Sequence, residues 1–160
     1  MSRPMTLAGF TAIQEEIERL WTEERPMVVK EVSAAAEMGD RSENAAYIYG
    51  KKRLRHIDSR MRYLSKKIED VTPVELVSMV DHPKVRFGAV VTVEDEEGVE
   101  KTYRLVDKDE SEPKLGRISI QSPVGRALEG KEVGDVAVVR IAERMMELEI
   151  TGLRYGAGAP

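Results

Sequence analysis

From Tyr47 to Ile68 the residues Tyr47, Gly50, Leu54, Ile57, Met61, Leu64 and Ile68 recur at alternating intervals of three and four. Held over the whole segment, that period fits a helix paired along its length and excludes a strand, whose side chains alternate every second residue. Only Gly50 is off type. Upstream, Ile13, Ile17, Leu20, Met27 and Ala34 form a matching but less regular series that Glu24 and Glu31 interrupt. The two segments are predicted to be antiparallel partners. Their connection near residues 38–42 is short and contains Gly39, as an αα-hairpin requires. A second helix over residues 43–69, at about 1.5 Å per residue, makes a rod on the order of 40 Å with the turn at its end. Pro26 falls inside the first helix and is expected to bend it or open a local gap in its hydrogen bonds.

A two-helix rod has too little interior to be a globular domain, and the 160 residues read with a different period after about residue 85. Residues 69–86 lose the seam and carry Pro73 and Pro83, as a connector does. Short β-like runs follow at 89–93, 102–106, 117–120, 136–141 and 146–150, separated by turn sequences such as DEEG and GKEVGD. Ser122 and Pro123 open a helical turn that breaks the series. The predicted class is α+β: a hairpin domain over residues 1–75, then a small, mostly antiparallel β domain with one short helix over 76–160. The terminal GAGAP is expected to be disordered.

The formal net charge of −4 hides a strong local asymmetry. Between Lys51 and Lys67 stand eight Lys or Arg and one acid, Asp58. A solvated helix face normally mixes signs to gain pairs one turn apart, so one dominant sign points to a polyanion partner. Contacts to phosphates by Lys51, Lys52, Arg53 and Arg55, with Arg60 and Arg62 further from the turn, carry little base information and weaken with salt.

Other chemistries are thinly represented. The chain has no cysteine, which excludes disulfides and thiolate metal sites. His56 and His82 have no partner at metal-ligand spacing, and there is no phosphate-cradling glycine loop or nucleophile turn. No segment approaches the roughly 20 apolar residues of a membrane span. A cytoplasmic, monomeric protein without a membrane partner is expected, and an independent enzyme is not. Trp21 is off the seam and expected to pack beside Pro26 or against the second domain.

Four segments together, WTEERP (21–26), AAAEMGDRSENAAY (34–47), KKRLRHIDSRMRYL (51–64) and ISIQSPVGRALEGKEVGD (118–135), resemble the bacterial transcript cleavage factors GreA and GreB, with the GreB branch nearer. The resemblance spans nearly the whole chain. It implies a coiled-coil hairpin followed by an FKBP-like domain that docks at the rim of the RNA polymerase secondary channel, while the hairpin reaches the active centre. There the factor stimulates cleavage of the 3′ end of backtracked RNA, and the polymerase performs the hydrolysis. By resemblance, Asp40 and Glu43 are the tip carboxylates that help hold a second Mg²⁺, only within the polymerase complex. Arg41, Ser42 and Asn44 support the tip, and Gln121, Ser122 and Pro123 form the docking loop. The nascent RNA 3′ end is the implied ligand of the basic helix.

The chemistry is coherent with that picture: Mg²⁺ prefers oxygen ligands and is usually held by one or two carboxylates plus phosphates and water. Yet Asp40 and Glu43 also have the spacing of a helix cap, which on these two residues alone is the commoner use. Two departures are visible. Where the family usually has a further acid two residues after the Asn, this chain has Ala46, and Gln121 stands at an often acidic position. They sustain a rival reading, a regulator that enters the same channel without promoting cleavage. A prolyl isomerase or chaperone is disfavoured by an aromatic content of 5%.

Overall fold

The computed structural model describes residues 2–39 and 43–160. The chain divides into two compact units: residues 10–71, and residues 72–160 together with Arg3–Gly9. The N-terminal segment that was grouped with the hairpin on sequence therefore packs with the second unit. Its strand β1 (Arg3–Thr6) pairs with β2 (Val71–Val74). Thr6 then caps helix α1 (Leu7–Arg19), its hydroxyl accepting the Gly9 N–H at 3.0 Å and donating to the Glu110 carboxylate.

In the first unit, α1 runs into a π-helical turn (Leu20–Glu24) and then α2 (Arg25–Ala36). The cause is Pro26, which has no N–H to give and whose ring crowds the preceding turn. The chain widens there by one residue, and the Arg25 N–H reaches back five positions to the Leu20 carbonyl. One inserted residue moves every later seam position by one. Thus Val28, Val32 and Ala35 are buried, whereas Met27 is 48% exposed and Ala34 is exposed. The seam expected at Met27 and Ala34 is corrected accordingly, and Glu24 and Glu31 cease to be interruptions because they lie beside the seam.

Helix α3 (Ala45–Lys67) has no such insertion, and its predicted seam stands. Ile57 and Leu64 are buried with Leu20, Val28 and Val32, flanked by Tyr47, Leu54, Met61, Ile13 and Ile17. Gly50 is explained by proximity: a Cβ built there would lie 2.5 Å from Val32 Cγ2. The facing Val32 side chain leaves no room for a second one at that level, while its Cα stays 3.9 Å away. Trp21, expected to be packed, is 59% exposed, with the Arg25 guanidinium 5.9 Å above its ring.

The second unit is built on a five-stranded sheet in the order β5-β4-β3-β7-β6, with β3 Val90–Glu94, β4 Glu100–Val106, β5 Arg117–Ser119, β6 Val136–Ile141 and β7 Arg144–Arg154. All neighbours are antiparallel except β4 and β5. Along β6, Ala137 and Val139 are buried while Val136 and Val138 are exposed, the two-residue alternation of a sheet with one covered face. Helix α4 (Pro123–Leu128) seats Leu128 on that face, among Val91, Val93, Leu105 and Ile150. β7 continues past the expected end at Ile150 because the pairing slips by one residue between Thr92 and Val93 and then resumes to Arg154.

The terminal Gly156–Pro160 segment is ordered by two arginines, contrary to expectation. Arg104, 4% exposed, donates to the carbonyls of Gly88 (3.0 Å), Gly156 (2.9 Å), Gly158 (2.6 Å) and Pro160 (2.8 Å). Arg154 donates to the carbonyls of Ala157 and Ala159. Burial, with the neighbouring Arg154 and Arg117 charges, holds the Arg104 pKa below its ordinary value. A composition that cannot build a core is held instead by its main-chain carbonyls.

Candidate nucleic-acid and protein interface

The hairpin turn is organised by Asn44. Its side-chain oxygen accepts the Tyr47 N–H at 3.1 Å, making it the N-cap of α3, and its Nδ2 donates to the Ala35 carbonyl at 2.6 Å. One amide thus satisfies an orphan donor of α3 and adds a second donor to the Ala35 carbonyl, which already accepts the Met38 N–H at 3.1 Å, tying the two helix ends together. Gly39, at φ +131°, supplies a backbone conformation that a side chain would strain as the chain leaves α2. Glu43 is exposed, immediately outside the cap. The competing reading of the Asp40 and Glu43 spacing as the cap of α3 is displaced, since Asn44 occupies that position.

Asp40, Arg41 and Ser42 lie outside the described residues, so of the predicted tip only Glu43 and Asn44 are placed. Among the described residues no group of three or more His, Cys, Asp or Glu side chains is arranged to hold a metal ion. Ala46 is exposed in the first turn of α3, and that turn carries no acid.

The predicted phosphate-binding residues separate into two sets. Arg53 lies beside the seam and pairs with Glu24 (4.0 Å) and Glu31 (3.7 Å), and Arg60 grips Glu16 with both forks at 3.1–3.2 Å. Arg25 pairs with Asp58 at 2.8 Å, which raises the arginine's pKa. These cations fasten one helix to the other. On the side of α3 opposite the seam, Ile48, Lys52, Arg55, Ser59, Arg62 and Lys66 recur at four, three, four, three and four, and all are exposed. Among the described residues Lys52, Arg55, Arg62 and Lys66 form no ion pair. From Lys52 to Lys66 they make a stripe about 21 Å long at 1.5 Å per residue, with Lys51 beside it. Lys66 was not singled out on sequence, although it stands four residues from Arg62 and eleven from Arg55, on the same helix face. Exposed Tyr49 and Tyr63 flank the stripe, Tyr63 lying under Arg60 and Lys67.

In the second unit, the predicted loop Gln121, Ser122 and Pro123 is a rigid corner. Ser122 Oγ donates to the Ser119 carbonyl at 2.6 Å and accepts the Gly125 N–H at 3.0 Å, which makes Ser122 the N-cap of α4 with Pro123 at its first position. The Gln121 N–H donates to Ser119 Oγ at 3.0 Å. With its backbone tied down, the loop leaves Gln121 and Pro123 exposed.

Comparison with known proteins adds the last observation. Residues 3–72 match the family described as transcription elongation factor, N-terminal, and residues 80–155 the family described as transcription elongation factor GreA/GreB, C-terminal. The chain is 46% identical over 159 residues to transcription elongation factor GreB of Pasteurella multocida, covering 96% of this chain and 97% of that one. It is 47% identical to GreB of Yersinia pestis, covering 96% and 90%. Transcription elongation factor GreA of Maricaulis maris is 44% identical, covering 96% and 98%.

Proposed function

The chain belongs to the GreA/GreB family of transcription elongation factors, and from that premise we propose that it rescues backtracked RNA polymerase by stimulating cleavage of the transcript's 3′ segment within the polymerase active centre. The observation that carries this reading is the division of labour in the hairpin. Asn44 closes the helix ends, so the acid beside it need not serve as the cap. Structural arginines pair with glutamates, so Lys52, Arg55, Arg62 and Lys66 are left for phosphates.

Each part has a physical task. The paired helices carry Glu43, with Asp40 three residues before it in sequence, on a stiff support whose position is set by the interhelical seam. The outward stripe attracts the displaced RNA through its phosphates and orients it without reading sequence. Asp40 and Glu43 supply carboxylate oxygens where the polymerase supplies the rest of a metal shell. A second Mg²⁺ bound there would activate the attacking water or steady the leaving oxygen. The contribution of this chain is positional and electrostatic, with no covalent intermediate on its own side chains.

The second reading, a channel regulator that does not promote cleavage, is favoured by one observation, the acid-free first turn of α3 at Ala46. A stalled complex carrying 3′-labelled RNA, incubated with the protein and Mg²⁺, separates the two. The cleavage factor releases short labelled RNA, and the regulator does not. Asp40→Asn keeps the size of the side chain but weakens a metal ligand, and is expected to lower the cleavage rate at saturating factor by at least tenfold. Unchanged cleavage by that variant removes the tip carboxylates from the mechanism.

A further inference from the structure

Helix α3 carries a second exposed row beside the cationic stripe. Tyr49, His56 and Tyr63 stand seven residues apart, and all three are exposed, the two tyrosines by 67% and 54%. Seven residues fall about 20° short of two full turns, so the rings follow one line along the helix, about 10.5 Å from one to the next. The side chains of Tyr49 and His56 form no hydrogen bond, ion pair or ring contact among the described residues. Tyr63 is held in place by cations: the Arg60 guanidinium lies 5.6 Å from its ring centre and the Lys67 ammonium 5.4 Å, and Arg60 is itself anchored to Glu16 at 3.1 Å. One exposed tyrosine is ordinary on a protein surface. Three aromatic rings on one line call for a reason.

At 3.6 residues per turn the row runs about a quarter turn around α3 from the stripe of Lys52, Arg55, Arg62 and Lys66, which on a helix some 10–12 Å across is an arc of about 8 Å. A nucleotide bridges such a gap, its phosphate at one end and its base at the other. A strand laid with its phosphates on the cations therefore brings its bases to the rings. Single-stranded bases stack on aromatic faces and on guanidinium planes alike, so a base at the far end of the row meets the Tyr63 ring or Arg60 beside it. We propose that Tyr49, His56 and Tyr63 stack on bases of the displaced RNA and make its engagement depend on base identity. The inference rests on the RNA-holding role of the hairpin and deepens it. Phosphate contacts are blind to sequence, whereas a two-ring purine covers more of an aromatic face than a one-ring pyrimidine, so purine-rich displaced segments are engaged at lower factor concentration. A protein occupant fits less well: the row is bordered by four cations, and the one acid of α3, Asp58, is already paired with Arg25 at 2.8 Å.

The test uses elongation complexes assembled on synthetic scaffolds whose displaced 3′ segments are of equal length and either adenine-rich or uracil-rich. The factor concentration that gives half-maximal cleavage is measured at several salt concentrations for the wild-type full chain and for Tyr49→Leu/Tyr63→Leu. Leucine is a good helix former, and thermal melting checks that the variant folds. The variant is expected to require at least tenfold more factor on the adenine-rich segment and less than threefold more on the uracil-rich one, with the salt slope unchanged because no phosphate contact is lost. Tyr49→Phe/Tyr63→Phe keeps both rings and is expected to match wild type on both segments. A leucine variant that equals wild type on both segments overturns the inference. So does one weakened equally on both, since the tyrosines then act on something other than the bases, and the cleavage reading is left intact. Failure of the wild-type chain to stimulate cleavage on either segment overturns both readings.

Discussion

Gly50→Ala tests whether close approach of the helices, rather than seam hydrophobicity alone, holds the hairpin. In an exposed helix this change would add about 1 kcal/mol of stability, the propensity gap between Gly and Ala. Here the new Cβ meets Val32 Cγ2 at 2.5 Å, roughly 1 Å closer than ordinary van der Waals contact. Val32 is β-branched, has little rotamer freedom in a helix, and is 9% exposed, so it has nowhere to swing. Overpacking of this kind costs about 1–3 kcal/mol, so the net effect is a loss of up to about 2 kcal/mol. In a Val32→Ala background the obstacle is gone and the same substitution is expected to stabilise by about 1 kcal/mol. The two changes should therefore be coupled by about 1–3 kcal/mol. Urea unfolding followed by fluorescence reads this directly, because the single tryptophan, Trp21, lies in the hairpin unit. If Gly50→Ala raises the wild-type midpoint as much as it raises that of Val32→Ala, the helices separate freely and the packing argument is wrong.

Asn44→Ala removes both the α3 cap and the bond to the Ala35 carbonyl and is expected to destabilise the hairpin by about 2 kcal/mol, whereas Asn44→Asp keeps the cap and should lose less. The same urea experiment ranks the two. For RNA contact, Lys52→Glu/Arg55→Glu should weaken crosslinking of backtracked RNA to the factor and flatten its salt dependence. Four phosphate contacts correspond to a log–log slope of about −3, so losing two should leave about half of it. Arg53→Glu should mainly lower hairpin stability, and equal effects of both changes on crosslinking would refute the division of the cations into two sets. Arg104→Met strands buried carbonyls at Gly88 and Gly156 and is expected to cost on the order of 3 kcal/mol while freeing residues 156–160 to proteolysis. Arg104→Lys should recover only part of this, since an ammonium cannot span four diverging acceptors. Protease digestion and thermal melting check both.

What could be read from residues alone was whatever depends on a local, uninterrupted period. Helix α3 was legible because nothing between Ala45 and Lys67 disturbs its three-and-four spacing, and β6 because alternation along an edge strand is a property of consecutive residues. The first helix was misread by one position after Pro26. Its true seam, Ile13, Ile17, Leu20, Val28, Val32 and Ala35, contains a gap of eight that is seven plus the inserted residue, and that signal was in the chain.

The tertiary structure alone decided which charges are available. Arg53 and Arg55 are two residues apart and equally basic, yet one faces Glu24 and Glu31 across the seam and the other faces away. The same holds for Asn44, whose second bond depends on where Ala35 lies in space, and for the GAGAP tail, ordered by an arginine more than fifty residues away in sequence. Periodicity is written into one segment at a time and so determines that a hairpin and a sheet form. Pairing of a charge or a carbonyl depends on which second segment lies opposite, and that is settled only when both are packed.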